Sequence, residues 1–394
     1  MNSPKRFSEL PEYAFPRLRT LIGDRAPGSD TPIQMTIGDP RHLPPAFVGE
    51  VIARHQAAFM SYPPNDGAPE LLSACAGWLK RRYDYDADPD RHILALNGTR
   101  EGLYNTSMAL CPETKNGKRP VILTPNPFYQ VYAVASLSVG AEPVYVNATA
   151  ETGHLPDFGA LDAELLDRTA IVYICSPANP QGSVASLDYW SDLLRLAERH
   201  DFKIFADECY AEIYRGSPPT GILEAVRATG ADPDRVVAFH SLSKRSNLAG
   251  LRSGFAVSGP GNIARMKQLR AYAGAPLPLP LQMAAAAVWD DEDHVRVNRA
   301  LYAEKFAAAA RILGPEHIPE AGFFLWLPTP DGIDGEAATL KLWTETGVKV
   351  LPGAYLARDT KAGNPGAQHI RAALVGPLDE TIEGLTRLRD GLQT

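Results

Sequence analysis

The sequence predicts an α/β protein with a large domain, built on a mostly parallel seven-stranded sheet between helices, and a small α+β domain. Seven short apolar runs alternate with segments of helical spacing, which is typical of a parallel sheet covered on both faces. The 394 residues, 45% hydrophobic and 22% charged, are too many for one ordinary core and indicate two domains. We place the large domain at residues 45–285 and the small domain at residues 1–44 and 286–394.

The strand candidates of the large domain are apolar throughout, as expected for strands buried on both faces. They are Ile93–Leu96, Val121–Thr124, Pro143–Val146, Ala170–Cys175, Lys203–Ala206, Val236–Phe239 and Gly254–Val257. The sequence leaves open whether the last of them is antiparallel. Helical spacing predicts the helices Phe47–Phe59, Pro69–Tyr83, Glu101–Leu110, Tyr129–Leu137 and Leu187–His200.

The pattern changes after Pro280, where longer helical segments alternate with fewer strands. The predicted helices are Leu281–Trp289, Val295–Leu313, Gly335–Thr346 and Leu378–Leu392, and the strand candidates are Gly322–Leu327, Val348–Leu351 and His369–Leu374. Near the N-terminus we expect a short helix over Pro11–Leu21 and a short strand that begins at Ile33 and ends at Gly38. These N-terminal elements are expected to join the small domain.

Composition excludes several classes of function. A net charge of −7 with no basic block argues against nucleic acid as a partner. Four scattered cysteines, without a C-x-x-C pair, fit reduced thiols in a cytoplasm better than a disulfide framework or a metal site. No apolar run approaches the roughly 18–20 residues of a membrane helix, and no apolar segment typical of a signal peptide follows the first residues.

A lysine just beyond a strand end is the centre of the predicted site. Lys244 follows the run Val236–Phe239, and ligands of open α/β sheets bind beyond the carboxyl ends of strands. Ser241 and Ser243 precede it, and Arg252 follows eight residues later. This set suits a phosphorylated cofactor with a carbonyl group: Lys244 would form a Schiff base, and Ser241 and Arg252 would hold the phosphate. The alternative is a surface lysine in a polar loop.

Two further strands end in residues that suit the same ligand. The Asn97–Glu101 segment opens a helix, and its backbone N–H groups can bind phosphate; the alternative is a helix cap by Thr99. Tyr129 follows the next strand and can lay its ring on a planar heterocycle, although a core tyrosine is equally consistent with the sequence.

An amide and an acid follow the next two strands. Asn179, held between two prolines, can donate to a phenolate oxygen, or it is simply part of a turn. Asp207 can pair with a protonated ring nitrogen, or it caps a helix; Glu208 beside it is expected to point elsewhere. Tyr210, three residues after Asp207, can reach the same phenolic oxygen as Asn179.

Arg371 lies in a short apolar strand near the end of the chain, where a cation needs an anionic partner. A substrate carboxylate suits its planar fork, and an internal salt bridge is the alternative. Taken together and in this order along the chain, these groups favour pyridoxal phosphate chemistry more strongly than any one of them does alone.

Taken together, these segments resemble the fold-type I pyridoxal-phosphate enzymes of the class I/II aminotransferase family over nearly the whole chain. The matching pieces are Ile37-Gly38-Asp-Pro, Tyr62…Gly67…Pro69-Glu-Leu, Asn97-Gly-Thr-Arg, Pro127-Phe-Tyr129, Ser176-Pro-Ala-Asn179-Pro-Gln-Gly, Asp207-Glu-Cys-Tyr210, Ser241-Leu-Ser-Lys244, Gly250-Leu-Arg252-Ser-Gly and Ile370-Arg371. The family's usual N-P-T-G reads N-P-Gln181-Gly here, and Tyr129 stands where some members have tryptophan.

The resemblance implies a role for each matched position. Lys244 would be the Schiff-base lysine and proton carrier, Asp207 would pair with the pyridine nitrogen, and Tyr129 would stack on the ring. Asn179 and Tyr210 would bind the phenolic oxygen, and Arg371, helped by the Gly38 backbone, would hold the substrate α-carboxylate. The phosphate would lie among Gly98, Thr99, Arg100, Ser241 and Arg252. Tyr62 would reach the phosphate of a neighbouring subunit, which implies a homodimer.

A closer resemblance is to the succinyldiaminopimelate aminotransferases of bacterial lysine biosynthesis. It rests on Tyr13-Ala-Phe-Pro-Arg-Leu, Asn97-Gly-Thr-Arg-Glu-Gly-Leu, Pro125-Asn-Pro-Phe-Tyr-Gln-Val-Tyr and Phe239-His-Ser-Leu-Ser-Lys-Arg-Ser-Asn. It implies transfer of an amino group from N-succinyl-LL-2,6-diaminopimelate to 2-oxoglutarate, with no metal.

The sequence leaves three other hypotheses about function open. An aminotransferase of other specificity, or a pyridoxal-phosphate C–S lyase, needs the same residues around the cofactor. A ligand-sensing module of a transcription regulator would carry an added DNA-binding domain, and only about 30 residues precede the Ile33 strand.

Overall fold

Twelve strands form three sheets in the part of the chain that the computed structural model describes, residues 5–8, 10 and 12–393. The strands are Ile33–Gln34 (β1), Ile93–Leu96 (β2), Val121–Asn126 (β3), Glu142–Asn147 (β4), Thr169–Cys175 (β5), Lys203–Asp207 (β6), Val236–Ser241 (β7), Gly254–Ser258 (β8), Phe324–Pro328 (β9), Val348–Lys349 (β10), Leu351–Pro352 (β11) and His369–Ala373 (β12).

The central sheet has seven strands in the order β2-β8-β7-β6-β5-β3-β4. All pairs from β7 to β4 are parallel, whereas β8 is antiparallel to both of its neighbours, β2 and β7. Six strands therefore share one direction and only β8 is reversed, which answers the question that the sequence leaves open. The predicted α/β class with a mostly parallel seven-stranded sheet is confirmed.

Helices cover both faces of this sheet, and further helices lie outside it. They are Ala14–Ile22 (α1), Phe47–Arg54 (α2), Pro69–Tyr83 (α3), Pro89–His92 (α4), Thr99–Leu110 (α5), Gln130–Ser138 (α6), Ala163–Arg168 (α7), Leu187–His200 (α8), Ile222–Thr229 (α9), Leu242–Arg245 (α10), Pro260–Arg270 (α11), Leu279–Asp290 (α12), Asp293–Leu313 (α13), Gly335–Lys341 (α14) and Leu378–Gln393 (α15). No helix in the described part of the chain is both long and apolar enough to span a membrane.

The helix α8 shows how the sequence determines these elements. The Ser186 side chain caps its first turn by accepting from the N–H of Tyr189. Trp190, Leu193, Leu194 and Ala197 recur at helical spacing and are all buried, so this stripe packs against the sheet. The strand β7 instead buries every residue, and its alternate side chains enter the two separate cores on the two faces of the sheet.

A third core lies outside the large sheet. It joins the N-terminal strand, α13, the sheet β11-β12-β9 and α15, and β1 pairs with β10 in parallel. The N-terminal residues thus pack with the C-terminal ones, as the sequence analysis expects. The boundaries at residues 44/45 and 285/286 stay a prediction.

Some elements differ from the sequence-based expectation. The helix predicted over Phe47–Phe59 ends at Arg54 and continues as a 3-10 turn, Gln56–Met60. The strand predicted over Val348–Leu351 is two short strands in different sheets, β10 and β11, because one pairs with β1 and the other with β12. The predicted start of the first helix, Pro11, lies outside the described residues.

Gly182 provides a test of how tightly the loop after β5 packs on the segment that precedes β9. Its φ is +74°, and a Cβ would lie 2.2 Å from Pro319 Cβ and 2.6 Å from the Ala321 carbonyl oxygen. Gly230 has a similar φ of +70° but open space around it. Both Ala substitutions should cost about 1–2 kcal/mol for the left-handed backbone, and Gly182→Ala should cost about 1–3 kcal/mol more for the clash. Urea unfolding of the two variants measures the difference; equal losses of stability would contradict this packing.

Candidate active site

One cavity of about 390 Å³ opens at the carboxyl ends of the central strands. The predicted site residues that line it are Gly38, Thr99, Arg100, Tyr129, Asn179, Asp207, Tyr210, Ser241, Lys244, Arg252 and Arg371. The topology explains part of this convergence, because β3, β5, β6 and β7 end at the same edge. The residues at or just after those ends are Tyr129, Asn179, Asp207, Tyr210, Ser241 and Lys244.

Lys244 lies in the single-turn helix α10, directly after β7, and its amine is turned into the cavity. Its Nζ donates to the carbonyl oxygen of Gly38 and lies 5.5 Å from the centre of the Phe323 ring. Burial lowers the pKa of Lys244 below the ordinary value for a lysine. The surface-lysine alternative is therefore wrong.

Asp207 is the last residue of β6 and is 3% exposed. Its Oδ2 accepts from the hydroxyl of Tyr132 at 2.8 Å, and its Oδ1 accepts from the N–H of Cys209 at 3.4 Å. Burial raises the pKa of Asp207, and these two hydrogen bonds oppose that shift. No helix begins at Asp207, so the helix-cap alternative is wrong.

Arg371 and Asn179 form one unit on the side of the small sheet. Arg371 Nη1 donates to Asn179 Oδ1 at 3.1 Å, and Nη2 donates to the carbonyl oxygen of Thr36 at 2.7 Å. The guanidinium lies 4.1 Å from the ring centre of Phe324, and burial lowers its pKa. Among the described residues no carboxylate forms an ion pair with Arg371, so the internal salt-bridge alternative is wrong.

Two tyrosines form further parts of the wall. Tyr210 is buried against Phe323 and Phe324 at ring-centre distances of 5.4 and 5.9 Å, and burial raises its pKa. Tyr129 is half-buried, and its hydroxyl oxygen accepts from Arg100 Nε at 2.7 Å. The side chain of Arg100 is thus directed to Tyr129.

The N-terminus of α5 forms an anion cradle with two hydroxyls and one arginine. A Cβ on Gly98 would lie 2.2 Å from Arg252 Nη2, so the guanidinium packs directly over the Gly98 backbone. Ser241 Oγ donates to Ser243 Oγ at 2.9 Å. Thr99 is the first helical residue rather than the cap, since Gly98 takes the cap position. Free N–H groups, hydroxyls and a cation in one place favour a bound anion.

Tyr62 is the one predicted site residue in a different environment. It lies in the loop before α3, is fully exposed, and does not line the cavity. Gly98 is not itself among the lining residues, although it touches Arg252.

Sequence reasoning missed several residues of the cavity. Tyr132 was predicted only as part of a helix, although it lies three residues after Tyr129, which is the N-cap of α6. Tyr13, Phe15, Leu351 and Leu356 also line the cavity and come from the chain ends, for which the sequence offers no signal of contact.

The cavity thus brings together a lysine amine, a buried carboxylate and an anion cradle at one edge of an α/β sheet. Residues 30–375 match the family described as "Aminotransferase class I and II". The chain belongs to the class I and II aminotransferase family, whose members use pyridoxal phosphate and have the fold-type I architecture.

The chain is similar to an LL-diaminopimelate aminotransferase of Dehalococcoides mccartyi, with 31% identity over 396 residues that cover 98% of each chain. A crystal structure of an aminotransferase from Neisseria meningitidis superposes with a TM-score of 0.94 at 37% identity, covering 98% of this chain and 99% of that one. A probable N-succinyldiaminopimelate aminotransferase from Thermus thermophilus superposes with a TM-score of 0.83 at 25% identity, covering 96% and 100%.

Lys244 should destabilise the apoprotein at neutral pH, because the fold buries its ammonium group. Because the folded pKa is lowered, this penalty is fully present below the folded pKa and disappears as the pH rises from there to the usual lysine pKa of about 10.4. We expect Lys244→Met to be more stable than the wild type at pH 7, by a margin that shrinks towards pH 10. Thermal unfolding of the apoproteins measures this. Lys361→Met, at an exposed position, is the control, and a margin independent of pH would contradict the explanation.

Proposed function

We propose that the chain is a pyridoxal-phosphate-dependent aminotransferase that transfers an amino group from a 2,6-diaminopimelate-type amino acid to 2-oxoglutarate, in lysine biosynthesis in the cytoplasm. The observation that carries the proposal is the convergence of a buried amine, Lys244, and a buried carboxylate, Asp207, on one cavity with an anion cradle. Perturbed pKa values of this kind concentrate at functional sites.

The residues present fit pyridoxal 5′-phosphate. The close approach of Arg252 to the Gly98 backbone leaves no room for a side chain at Gly98, as expected where backbone N–H groups face a phosphate. Ser241, Ser243 and the N-terminus of α5 supply donors beside it. Asp207 is 3% exposed and is the only carboxylate, and so the only group suited to a protonated ring nitrogen, among the described lining residues at the strand ends.

Lys244 would link the cofactor and then move protons. Pyridoxal 5′-phosphate, when bound, supplies an aldehyde that joins an amine and a ring that takes up the electrons left when the substrate Cα loses its proton. The burial that lowers the pKa of Lys244 favours the unprotonated amine, which is the form of Nζ that can accept that proton. Asp207 would hold a proton on the ring nitrogen, and Tyr132 would keep the carboxylate oriented.

The hydrogen bond between Arg371 and Asn179 determines which way the amide faces. A guanidinium can only donate, so Asn179 must present Oδ1 to it, and its Nδ2 then faces away with two free donors. Nδ2 and the hydroxyl of Tyr210 would bind the phenolic oxygen of the cofactor. Removal of Arg371 would therefore also release Asn179.

Arg371 would bind the substrate α-carboxylate. It is buried without a carboxylate partner among the described residues, and its Nε has no hydrogen-bond partner. A buried cation without a counter-ion is unfavourable, and an incoming carboxylate would supply both the charge and the missing acceptor. The Gly38 backbone lies beside the same cavity.

Two donors are candidates. The sequence segments around the cofactor resemble the succinyldiaminopimelate aminotransferases and favour N-succinyl-LL-2,6-diaminopimelate. The relatives named LL-diaminopimelate aminotransferase cover nearly the whole chain and favour the unsuccinylated amino acid. Another amino acid, or C–S bond cleavage by the same residues around the cofactor, is the alternative outcome.

Lys244→Ala should lose both the covalent attachment of pyridoxal phosphate and turnover, by about 10²–10⁴-fold or more, because no other group in the cavity replaces its proton transfer. Lys203→Ala is the control, since Lys203 lies in β6 outside the cavity. The assay supplies each candidate donor with 2-oxoglutarate and measures glutamate. Retained turnover in Lys244→Ala would refute the mechanism, and pyruvate and ammonia in place of glutamate would indicate the lyase.

A homodimer would place Tyr62 in the site of the neighbouring subunit. Tyr62 is fully exposed, and the neighbouring Met60 is 91% exposed. Two large exposed side chains so close together indicate a surface that a second subunit covers in the assembly. The proposal is that Tyr62 donates to the phosphate held by the partner.

Mixed dimers test this exchange of residues. Tyr62→Ala and Lys244→Ala homodimers should each be strongly impaired. A hybrid of the two has one site with both residues intact, formed by Lys244 of one chain and Tyr62 of the other. Co-refolded mixtures should therefore recover activity towards about one quarter of the wild-type level at random pairing. No recovery, with hybrids present by native mass spectrometry, would show that Tyr62 acts within its own subunit.

A further inference from the structure

The segment 35–43, called here the Gly38 segment, lies between the small sheet and Lys244. Its Met35 carbonyl accepts from the N–H of Ala373 at 2.7 Å, and its Gly38 carbonyl accepts from Lys244 Nζ. The segment therefore touches the reactive amine directly. What holds its far end in place is a set of side chains outside the cavity.

His42, in the Gly38 segment, is half-buried and lies in the middle of a chain of partly buried hydrogen bonds. Lys305, on α13 and only 2% exposed, has its Nζ 2.7 Å from His42 Nε2 and donates to the carbonyl oxygen of Leu374 at 3.1 Å. On the other side of the ring, His42 Nδ1 lies 2.8 Å from Asn298 Oδ1. Asn298, 4% exposed, donates from Nδ2 to the carbonyl oxygens of Lys244 and Arg245 at 3.4 and 3.3 Å.

Every hydrogen bond in this chain can have only one direction. The ammonium group of Lys305 donates, so His42 Nε2 accepts and the ring proton lies on Nδ1. Nδ1 then donates to Asn298 Oδ1, which leaves the Asn298 amide nitrogen for the main chain at Lys244. Burial lowers the pKa of His42, the hydrogen bond with Asn298 opposes this shift, and the charge of Lys305 adds to it.

An aromatic stack runs beside the same path. The ring of Tyr302 lies 4.8 Å from His42 and stacks on Phe323 at 5.6 Å and 17°, and Phe323 lies under Lys244 Nζ. His42 is thus packed as well as hydrogen-bonded, which limits its rotamers. A network with all its partners satisfied is rigid, and removal of one member leaves buried polar groups unpaired.

We propose that His42 is a positioning residue for Lys244: through Asn298 it fixes the main chain at Lys244, and through the Gly38 segment it fixes the acceptor of the Lys244 amine. The role rests on the proposed function, in which the direction of Nζ determines how it reaches the substrate Cα. Misplacement of a reacting group by about 1 Å can cost about 10²-fold in rate. His42 does not touch the cavity, and its effect would act on kcat rather than on substrate binding.

Two substitutions separate the two hydrogen bonds of the ring. The amide nitrogen of Asn can take the place of His Nδ1, so His42→Asn keeps the donor to Asn298 and loses the contact with Lys305. The longer His42→Gln can place its amide oxygen where Nε2 lies, so it keeps the acceptor for Lys305 and loses the donor to Asn298. His42→Phe removes both while keeping the packing against Tyr302.

We expect His42→Gln and His42→Phe to lower kcat of the holoenzyme by about 10–100-fold with KM within about threefold, as for the loss of a hydrogen bond that orients a reacting group. His42→Asn should stay within about threefold of wild-type kcat. Equal kcat values in the Asn and Gln variants, or wild-type kcat in His42→Phe, would overturn the proposal.

Amide hydrogen exchange in the apoproteins gives a readout independent of catalysis. The N–H groups of Ser246 and Leu248 both donate to the carbonyl of Leu242, in the turn that follows Lys244. Their exchange should be at least about tenfold faster in His42→Gln than in His42→Asn. Unchanged exchange in the Gln variant would overturn the proposal. If the wild type transferred no amino group from any donor, the proposed function would fail. The exchange rates of the Gln and Asn variants would still show whether His42 orders the main chain at Lys244.

Discussion

The direction of one strand, β8, is the constraint on which the candidate site depends. Because β8 is antiparallel to β7 and β2, Gly254 at its start lies opposite Ser241 and Leu96 at their ends. Arg252 is thereby brought to the N-terminus of α5. A parallel strand of five residues would instead have placed Arg252 roughly 16 Å away, at the opposite edge. The anion cradle exists because a single strand is reversed.

The site also concentrates charges that the fold alone would not favour. Lys244 donates to a main-chain carbonyl, and Arg371 donates to a carbonyl and an amide, but neither cation forms an ion pair with a carboxylate among the described residues. Burial shifts the pKa of each towards its neutral form. Buried charges of this kind lower the stability of the fold, so the surrounding packing must supply more stability than they cost. Two cores on the faces of the central sheet and a third around the small sheet supply that packing.

Local pattern predicted the fold better than it predicted the neighbours of each site residue. The strand Ile93–Leu96 and the helices Pro69–Tyr83 and Leu187–His200 have the bounds that apolar periodicity indicates, since burial of a continuous stripe is a property of the segment itself. The reversal of β8 and the contacts of His42 with Lys305, 263 positions apart, depend on how segments pair in space. A single sequence contains no record of that pairing. Tyr132 is intermediate, because its spacing from Tyr129 was visible but its acid partner was not.

Two adjacent acids show how the sheet gives neighbouring residues different tasks. Asp207 faces the cavity, whereas Glu208, turned away as its sequence position suggested, accepts from the hydroxyl of Tyr83 at 2.9 Å and from the N–H of Ile222 at 2.8 Å. Burial raises the pKa of Glu208 to about 7, so it is close to losing its charge where it lies. Its contacts tie the end of β6 to α3 and to the start of α9. The contacts of Glu208 therefore help to fix the strand end that carries Asp207, while Asp207 itself is left to face the cavity.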